Sequence, residues 1–436
     1  MKVKRYYDVT TIMQAPKKPV GIARIEFEIC RYLLTQRLDC DFCQYDSAAG
    51  LFVAVSHEAV AAEVARFGEA GVVVAPVSEP LLGRTLADGL RGLLRLLAPP
   101  TLIAELRRLK QSLFRVVCRT VRSSQGLAFA SGDCLIWFGI SWDPFRLEAL
   151  RRLHAVSGVV CVYYCHDIIP YLFPHFVSTE SRRQFELYME TIAETATGLL
   201  FNSVCSREDF CRYLDQTGRA HVPSVVVHPA VNVLYCPAQN AVSEAVQALA
   251  GERYVLYVST IEGRKNHDVL YKAWLYLRAQ GFAAPRLVIL GSYGWCATDL
   301  IYNLRFDERI RASVTVVENA SDSELAFLYR HCLFTLYPSF YEGWGMPVSE
   351  SLSVGKFCLT SGQGALREAG GDFVHVIDPY DVVAWADAIL YFADHPEILA
   401  AREAKIRDSF VPQTWSDFGR KSFDFIDACT SITCAS

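Results

Sequence analysis

The chain has 436 residues, 52% of them hydrophobic and 21% charged, with a formal net charge of −4. A single core does not ordinarily serve that length, so two domains of roughly 200 residues each are expected. The slightly acidic balance argues against a protein organised around nucleic acid or another polyanion. No apolar run reaches the roughly 18 residues of a membrane-spanning helix. The start, MKVKRYYDVTTI, has neither the apolar core nor the small-residue cleavage site of a secretory leader. A cytoplasmic location is therefore expected, with the fifteen cysteines reduced and serving as small core residues.

In chain order, RYYDVTTIM is a predicted strand, and a helix follows from about Ile22 to Gln36. Asp39-Cys40-Asp41 has the Asp-x-Asp form of a metal-binding triplet, but it follows a helix and enters a strand, so a surface turn is expected. Cys40 and Cys43 make a lone CxxC, and Cys161 and Cys165 lie close to His166. No second pair at zinc spacing accompanies either, and no metal site is expected. Residues 81–125 carry nine Lys/Arg against two Asp/Glu. Within 102–122, Leu102, Leu106, Leu109, Leu113 and Val116 share one helical face, and Arg108, Arg115, Arg119 and Arg122 the other. Such a basic amphipathic helix suits peripheral contact with an anionic membrane, or packing on the domain with its basic face solvated; both readings stand. CLIWFGI, GVVCVYYC, TGLLFNS and SVVVHPAV continue the N-terminal half as strands.

In the C-terminal half YVLYVST, RLVILGS, VTVVEN, LFTLYPS and KFCLTS alternate with helical patterns such as HDVLYKAWLYLRAQG and SDSELAFLYRHC. That alternation predicts right-handed crossovers and parallel sheets covered on both faces. A boundary near Pro229 gives domains 1–229 and 230–412, with a cleft between the carboxyl ends of their strands. QTWSDFGRKSFDFIDA is expected to be a last helix.

Two loops carry candidate chemistry. In LYPSFYEGWGMPVSES, Glu342 and Glu350 flank a Gly-Trp-Gly-Met-Pro turn. Pro347 suits the first turn of a helix, so the amides of Trp344, Gly345 and Met346 would be free at its N-terminus. Carboxylates accept from vicinal hydroxyl pairs such as those of a ribose or hexose; a dipole-complementing Glu350 and a simple loop charge at Glu342 are the plainer reading. In STIEGRKNH, Arg264 and Lys265 lie in a strand-to-helix loop at the same edge, and two cations there suit a diphosphate.

EGWGMPVSE, with its E-x7-E spacing, resembles the signature of family 4 glycosyltransferases, retaining enzymes of the GT-B architecture, and STIEGRKNH resembles that family's donor-phosphate loop. The resemblance runs through SDSELAFLYRHC, Gly291, LREAGG (366–371) and IDPYD (377–381), covering most of residues 225–430. GIAR is similar to the family's glycine turn, and HDIIP to a motif whose histidine contacts the donor sugar. The resemblance implies an α/β fold of two Rossmann-like domains facing across a cleft, with 413–436 crossing back to the first domain. It places Glu350 on the nucleotide ribose, Glu342 with the amides of Trp344 to Met346 on the donor sugar, Arg264 and Lys265 on the diphosphate, Gly21 close to that diphosphate, and His166 near the reacting carbon. His166, Arg264, Lys265 and Glu342 are the expected catalytic set. Several members carry an Arg directly after a Gly one strand-end earlier; Val258-Ser259-Thr260 stands there here, leaving the phosphate charge to Arg264 and Lys265.

The activity implied is retaining, metal-independent transfer of a hexose, first of all mannose from GDP-mannose, to a glycan or lipid-linked acceptor in polysaccharide or lipopolysaccharide biosynthesis, with the nucleotide sugar as co-substrate and no further cofactor. An epimerase of the same fold and a non-catalytic scaffold subunit are the alternatives. A dinucleotide oxidoreductase would need the Gly-x-Gly-x-x-Gly that neither half shows.

Overall fold

The computed structural model describes residues 3–15, 22–37, 39–69, 126–139, 141–231 and 242–433. Gly21 and the whole of the basic insertion at 81–125, with its proposed helix at 102–122, lie outside them. A seven-stranded sheet occupies the N-terminal half, in spatial order β3 (Leu51–Val55), β2 (Cys40–Asp46), β1 (Arg5–Asp8), β4 (Cys134–Trp137), β5 (Val160–Cys165), β6 (Ala196–Phe201) and β7 (Ser224–Val226). Its pairings are parallel except that of β2 with β3. The predicted all-parallel sheet is corrected there: four residues, Ser47 to Gly50, separate the two strands, a connection long enough for a hairpin and far too short for a crossover. The first predicted strand is also shorter than RYYDVTTIM, because Thr10–Met13 turns into helix.

The second sheet is wholly parallel, in the order β10 (Val314–Val317), β9 (Arg286–Leu290), β8 (Tyr254–Val258), β11 (Thr335–Tyr337), β12 (Cys358–Thr360) and β13 (Val374–Val376). In both sheets the order reverses beside the first strand of the half, at β1/β4 and at β8/β11. Those are the places where an open α/β sheet leaves a crevice outside its carboxyl ends.

Alternation along the strands divides the cores. In β4, Cys134 and Ile136 face one hydrophobic cluster while Leu135 and Trp137 face another; in β8, Val255 and Tyr257 oppose Tyr254 and Leu256 likewise. Cys40 and Cys43 consequently lie on opposite faces of β2, which dismantles the CxxC as a ligand pair. The last helix, Trp415–Thr433, buries Phe418, Phe423, Ile426 and Cys429 in the core of the first sheet. Its Asp427 pairs with Arg5 at 2.9 Å and Arg37 at 3.1 Å.

Candidate active site

β8 runs into STIEGRKN, where Gly263–Lys265 makes one 3-10 turn before the helix His267–Ala279. Asn266, between them, has φ +56° and ψ +40°, a left-handed conformation that asparagine tolerates better than most residues. Its Nδ2 donates to Pro338 O at 3.1 Å and Pro379 O at 2.8 Å. Phe340 N–H donates to Arg264 O at 2.9 Å. The cation loop is thus fastened to the segment after β11, where Glu342 lies.

Arg264 Nη1 stands 2.9 Å from Glu342 Oε2, and Lys265 Nζ stands 2.6 Å from Oε1. Arg264 also donates to Tyr341 O at 2.8 Å and to Glu262 Oε1 at 3.0 Å, and Lys265 to Tyr337 OH at 3.2 Å. Glu342 is 6% exposed. Burial alone would raise its pKa, but Arg264 and Lys265 prevail and lower it from 4.5 to about 2. The sequence separates the two cations from Glu342 by function; the structure joins the three, because buried charges of opposite sign at one loop crossing neutralise each other.

His166 follows β5 directly. Its Nε2 lies 2.8 Å from Phe138 O. A carbonyl only accepts, so the proton resides on Nε2, and Nδ1 is left as an acceptor without a hydrogen-bond partner. Burial holds the ring's pKa down to about 4, so the imidazole is neutral at pH 7. Asp167 beside it is pushed up by burial, with Arg264 opposing.

The Gly-Trp-Gly turn closes on this strand end. A Cβ on Gly343 would stand 2.7 Å from Asp167 Cβ and 2.7 Å from His166 O, so only a residue without one fits. Gly345, at φ +98°, begins the helix Met346–Ser353 with Pro347 in its first turn. The Trp344 indole stacks on His228, with centroids 4.5 Å apart, and its Nε1 is buried without a partner. Glu350, fifth residue of that helix and buried, accepts from Tyr329 OH at 2.9 Å. Burial pushes its pKa up, opposed by Tyr329 and by Arg24. Asn266 and Tyr329 are the supporting residues that sequence reasoning passes over; the asparagine next to two loop cations was the available signal for the first, and nothing in the spacing marks the second. At the Asp-x-Asp triplet, Asp39 is held by Arg37 at 2.8 Å and Arg5 at 3.4 Å. Among the described residues no group of three His, Cys, Asp or Glu is placed to hold a metal.

Residues 240–408 match the family model described as glycosyl transferases group 1. This part of the chain is a group 1 glycosyltransferase domain. The chain is 28% identical over 237 residues to O-antigen chain mannosyltransferase B of Escherichia coli, covering 54% of this chain and 61% of that protein. It is 24% identical over 240 residues to the serotype-specific mannosyltransferase WbdA of the same organism, covering 52% and 29%. Against D-inositol 3-phosphate glycosyltransferase of Mycobacterium tuberculosis (strain ATCC 25177 / H37Ra) the identity is 28%, over 38% of this chain and 35% of that one. The chain thus spans less than two thirds of each of these relatives.

Among solved structures, Anabaena Alr3699/HepE in complex with UDP-glucose aligns over 98% of this chain and all of its own, with TM-score 0.61 and 14% identity. Sucrose-phosphate synthase of Thermosynechococcus elongatus aligns over 70% and 74%, with TM-score 0.54 and 17% identity. The two sheets are those of the GT-B fold, and the group 1 domain and its relatives are consistent with the family 4 resemblance of EGWGMPVSE.

Proposed function

We propose that the protein is a retaining, metal-independent hexosyltransferase that moves mannose from GDP-mannose to a glycan or lipid-linked glycan acceptor. The observation that carries this reading is the meeting of Arg264, Lys265 and Glu342 at one loop crossing, joined by the turn Gly343–Gly345 to the helix that bears Glu350. The two cations suit a diphosphate and stabilise the charge that develops as it leaves. Glu350 accepts from the ribose hydroxyls. The amides at Trp344 to Met346 and the free Nδ1 of neutral His166 orient the hexose, Nδ1 accepting from one of its hydroxyls. In the retaining scheme the acceptor hydroxyl attacks the sugar on the face the diphosphate leaves, the bond to the diphosphate breaks, and a phosphate oxygen takes the proton. No side chain then has to serve as base, and the protein contributes orientation and electrostatics.

The mannosyltransferases among the relatives favour mannose as the sugar. No helix among the described residues is long and apolar enough to cross a membrane; a lipid-linked acceptor would be met at the surface, through the basic stretch at 102–122 in this reading. A thermal-shift panel of nucleotides and nucleotide sugars tests the donor, because a ligand of the native state stabilises it by RT ln(1 + [L]/Kd). GDP-mannose should raise Tm above all others, and transfer should survive EDTA. No shift with any nucleotide sugar would overturn the reading.

A further inference from the structure

The chain passes between its halves twice, and both passages meet at His228. Outward, β7 runs through Val227 and His228 to Pro229, the boundary expected from SVVVHPAV. On the return, residues 410–414 connect the helix Pro396–Ser409, whose Leu399 and Ile406 sit in the second core, to the last helix, seated in the first. Gln413, on that return, donates from Nε2 to His228 O at 2.7 Å. The backbone at His228 is therefore tied to both passages.

The His228 side chain, 37% exposed, reaches from this point into the site. Its Nδ1 lies 3.1 Å from Asn202 O, just after β6. A carbonyl only accepts, so Nδ1 carries a proton and donates it, which fixes the ring on the first half. The ring lies against the Trp344 indole, with centroids 4.5 Å apart and planes inclined by 18°. Nε2 stands 3.5 Å from Glu368 Oε1, beyond ordinary hydrogen-bond length. One hydrogen bond thus holds the imidazole on the first half while its flat face supports the turn of the second.

Trp344 depends on such a support. Its neighbours, Gly343 and Gly345, lack side chains, and the backbone freedom of two glycines must be removed before the amides of the turn point one way. The indole Nε1 is buried without a hydrogen-bond partner, so no polar contact sets the rotation of the ring. The stack on His228 does, and offset aromatic pairs contribute beyond the area they bury.

We propose that His228 is a positioning residue for the donor sugar, holding Trp344, and with it the amides of Trp344 to Met346, in register with the crossing between the halves. It acts through Trp344 and not on the reacting atoms. The inference rests on the reading that this turn holds the hexose. Calorimetric titration of the full chain with GDP and with GDP-mannose tests it. In His228→Ala the Kd for GDP should stay within about twofold, because ribose and diphosphate are held elsewhere, while the Kd for GDP-mannose should rise about three- to tenfold and kcat should fall by a similar factor. His228→Phe keeps the ring face and loses the Nδ1 donor; it should restore GDP-mannose binding to within about twofold of the wild type. In a Trp344→Ala background, His228→Ala should cost nothing further. Equal weakening of both ligands, phenylalanine no better than alanine, or additive losses in the Trp344→Ala background would each overturn the proposal. A second readout needs no donor. In fluorotryptophan-labelled protein the fluorine resonance of Trp344, identified by its absence in Trp344→Phe, should shift and broaden in His228→Ala and stay sharp in His228→Phe. A resonance unmoved in His228→Ala overturns the positioning role. A resonance that moves as expected, in a protein blind to GDP-mannose, retains the hold of His228 on Trp344 and refutes the donor assignment instead.

Discussion

Glu342→Gln tests whether the carboxylate between Arg264 and Lys265 is the electrostatic centre of the loop crossing. The substitution keeps shape and removes charge, leaving two cations facing a neutral amide. Glu342 titrates at about 2 in the fold against an ordinary 4.5. A difference of that size is worth about 3 kcal/mol at roughly 1.36 kcal/mol per pKa unit. With only 8% of its side chain exposed, little of this is screened by solvent. The sign follows from a depressed folded pKa: the contribution is complete above 4.5 and disappears as pH falls through 2. At pH 7 the variant should therefore melt lower by roughly 6–12 °C, for a domain of some 200 residues. The gap should narrow as both proteins are melted at successively lower pH below 4.5. Scanning calorimetry at pH 7, 5 and 3.5 measures it. An equal Tm at pH 7, or a gap as wide at pH 3.5 as at pH 7, would refute the argument that Glu342 is held ionised by these two cations.

Lys265→Ala removes one preorganised charge from the leaving group and should cut kcat by about 10²-fold or more, with the circular-dichroism spectrum unchanged. Glu350→Ala should abolish the stabilisation by GDP and GDP-mannose in thermal shift; Tyr329→Phe, which loses only the phenol that donates to Glu350, should weaken it by several-fold at most. Gly343→Ala introduces a Cβ into the 2.7 Å gap beside Asp167 and should cost about 1–3 kcal/mol in denaturant unfolding, together with most of the transfer activity.

The strand rhythm of the C-terminal half was legible because buried parallel strands must be apolar runs, and VLYV, LVIL and FTLY are such runs. The antiparallel β3 was not, since LFVAV has the same composition whichever way it runs. For the site, motif and spacing identified Arg264, Lys265, Glu342 and Glu350 one by one, but not their contact. The Lys265–Glu342 bond joins residues 77 apart, and no local pattern encodes it. Glu342 and Glu350 seemed equivalent in the sequence. The fold separates them: one lies between two cations and is driven down, the other meets a phenol in a buried pocket and is driven up. The tautomer of His166 was likewise hidden, because it is set by a carbonyl 28 residues away.

The same turn also fastens the two halves to each other. Ser206 Oγ lies 3.1 Å from His166 O and 3.2 Å from Gly343 O, one hydroxyl shared between a strand end of the first domain and the glycine of the second. Tyr341 OH donates to Asp209 at 2.7 Å. The Glu368 carboxylate accepts from Val204 N–H at 2.9 Å, capping the helix Val204–Thr217 of the opposite domain in a position that also complements its dipole. Tyr341 and Gly343 are the immediate neighbours of Glu342, and Trp344, stacked on His228, comes next. A displacement of the seam therefore displaces Glu342 relative to His166, and a group that repositions Glu342 strains the seam. The arrangement of carboxylate and cations and the contact between domains are accordingly one mechanical unit, built on a five-residue stretch from Tyr341 to Gly345 that holds two glycines, one in the 2.7 Å gap and one in the left-handed region.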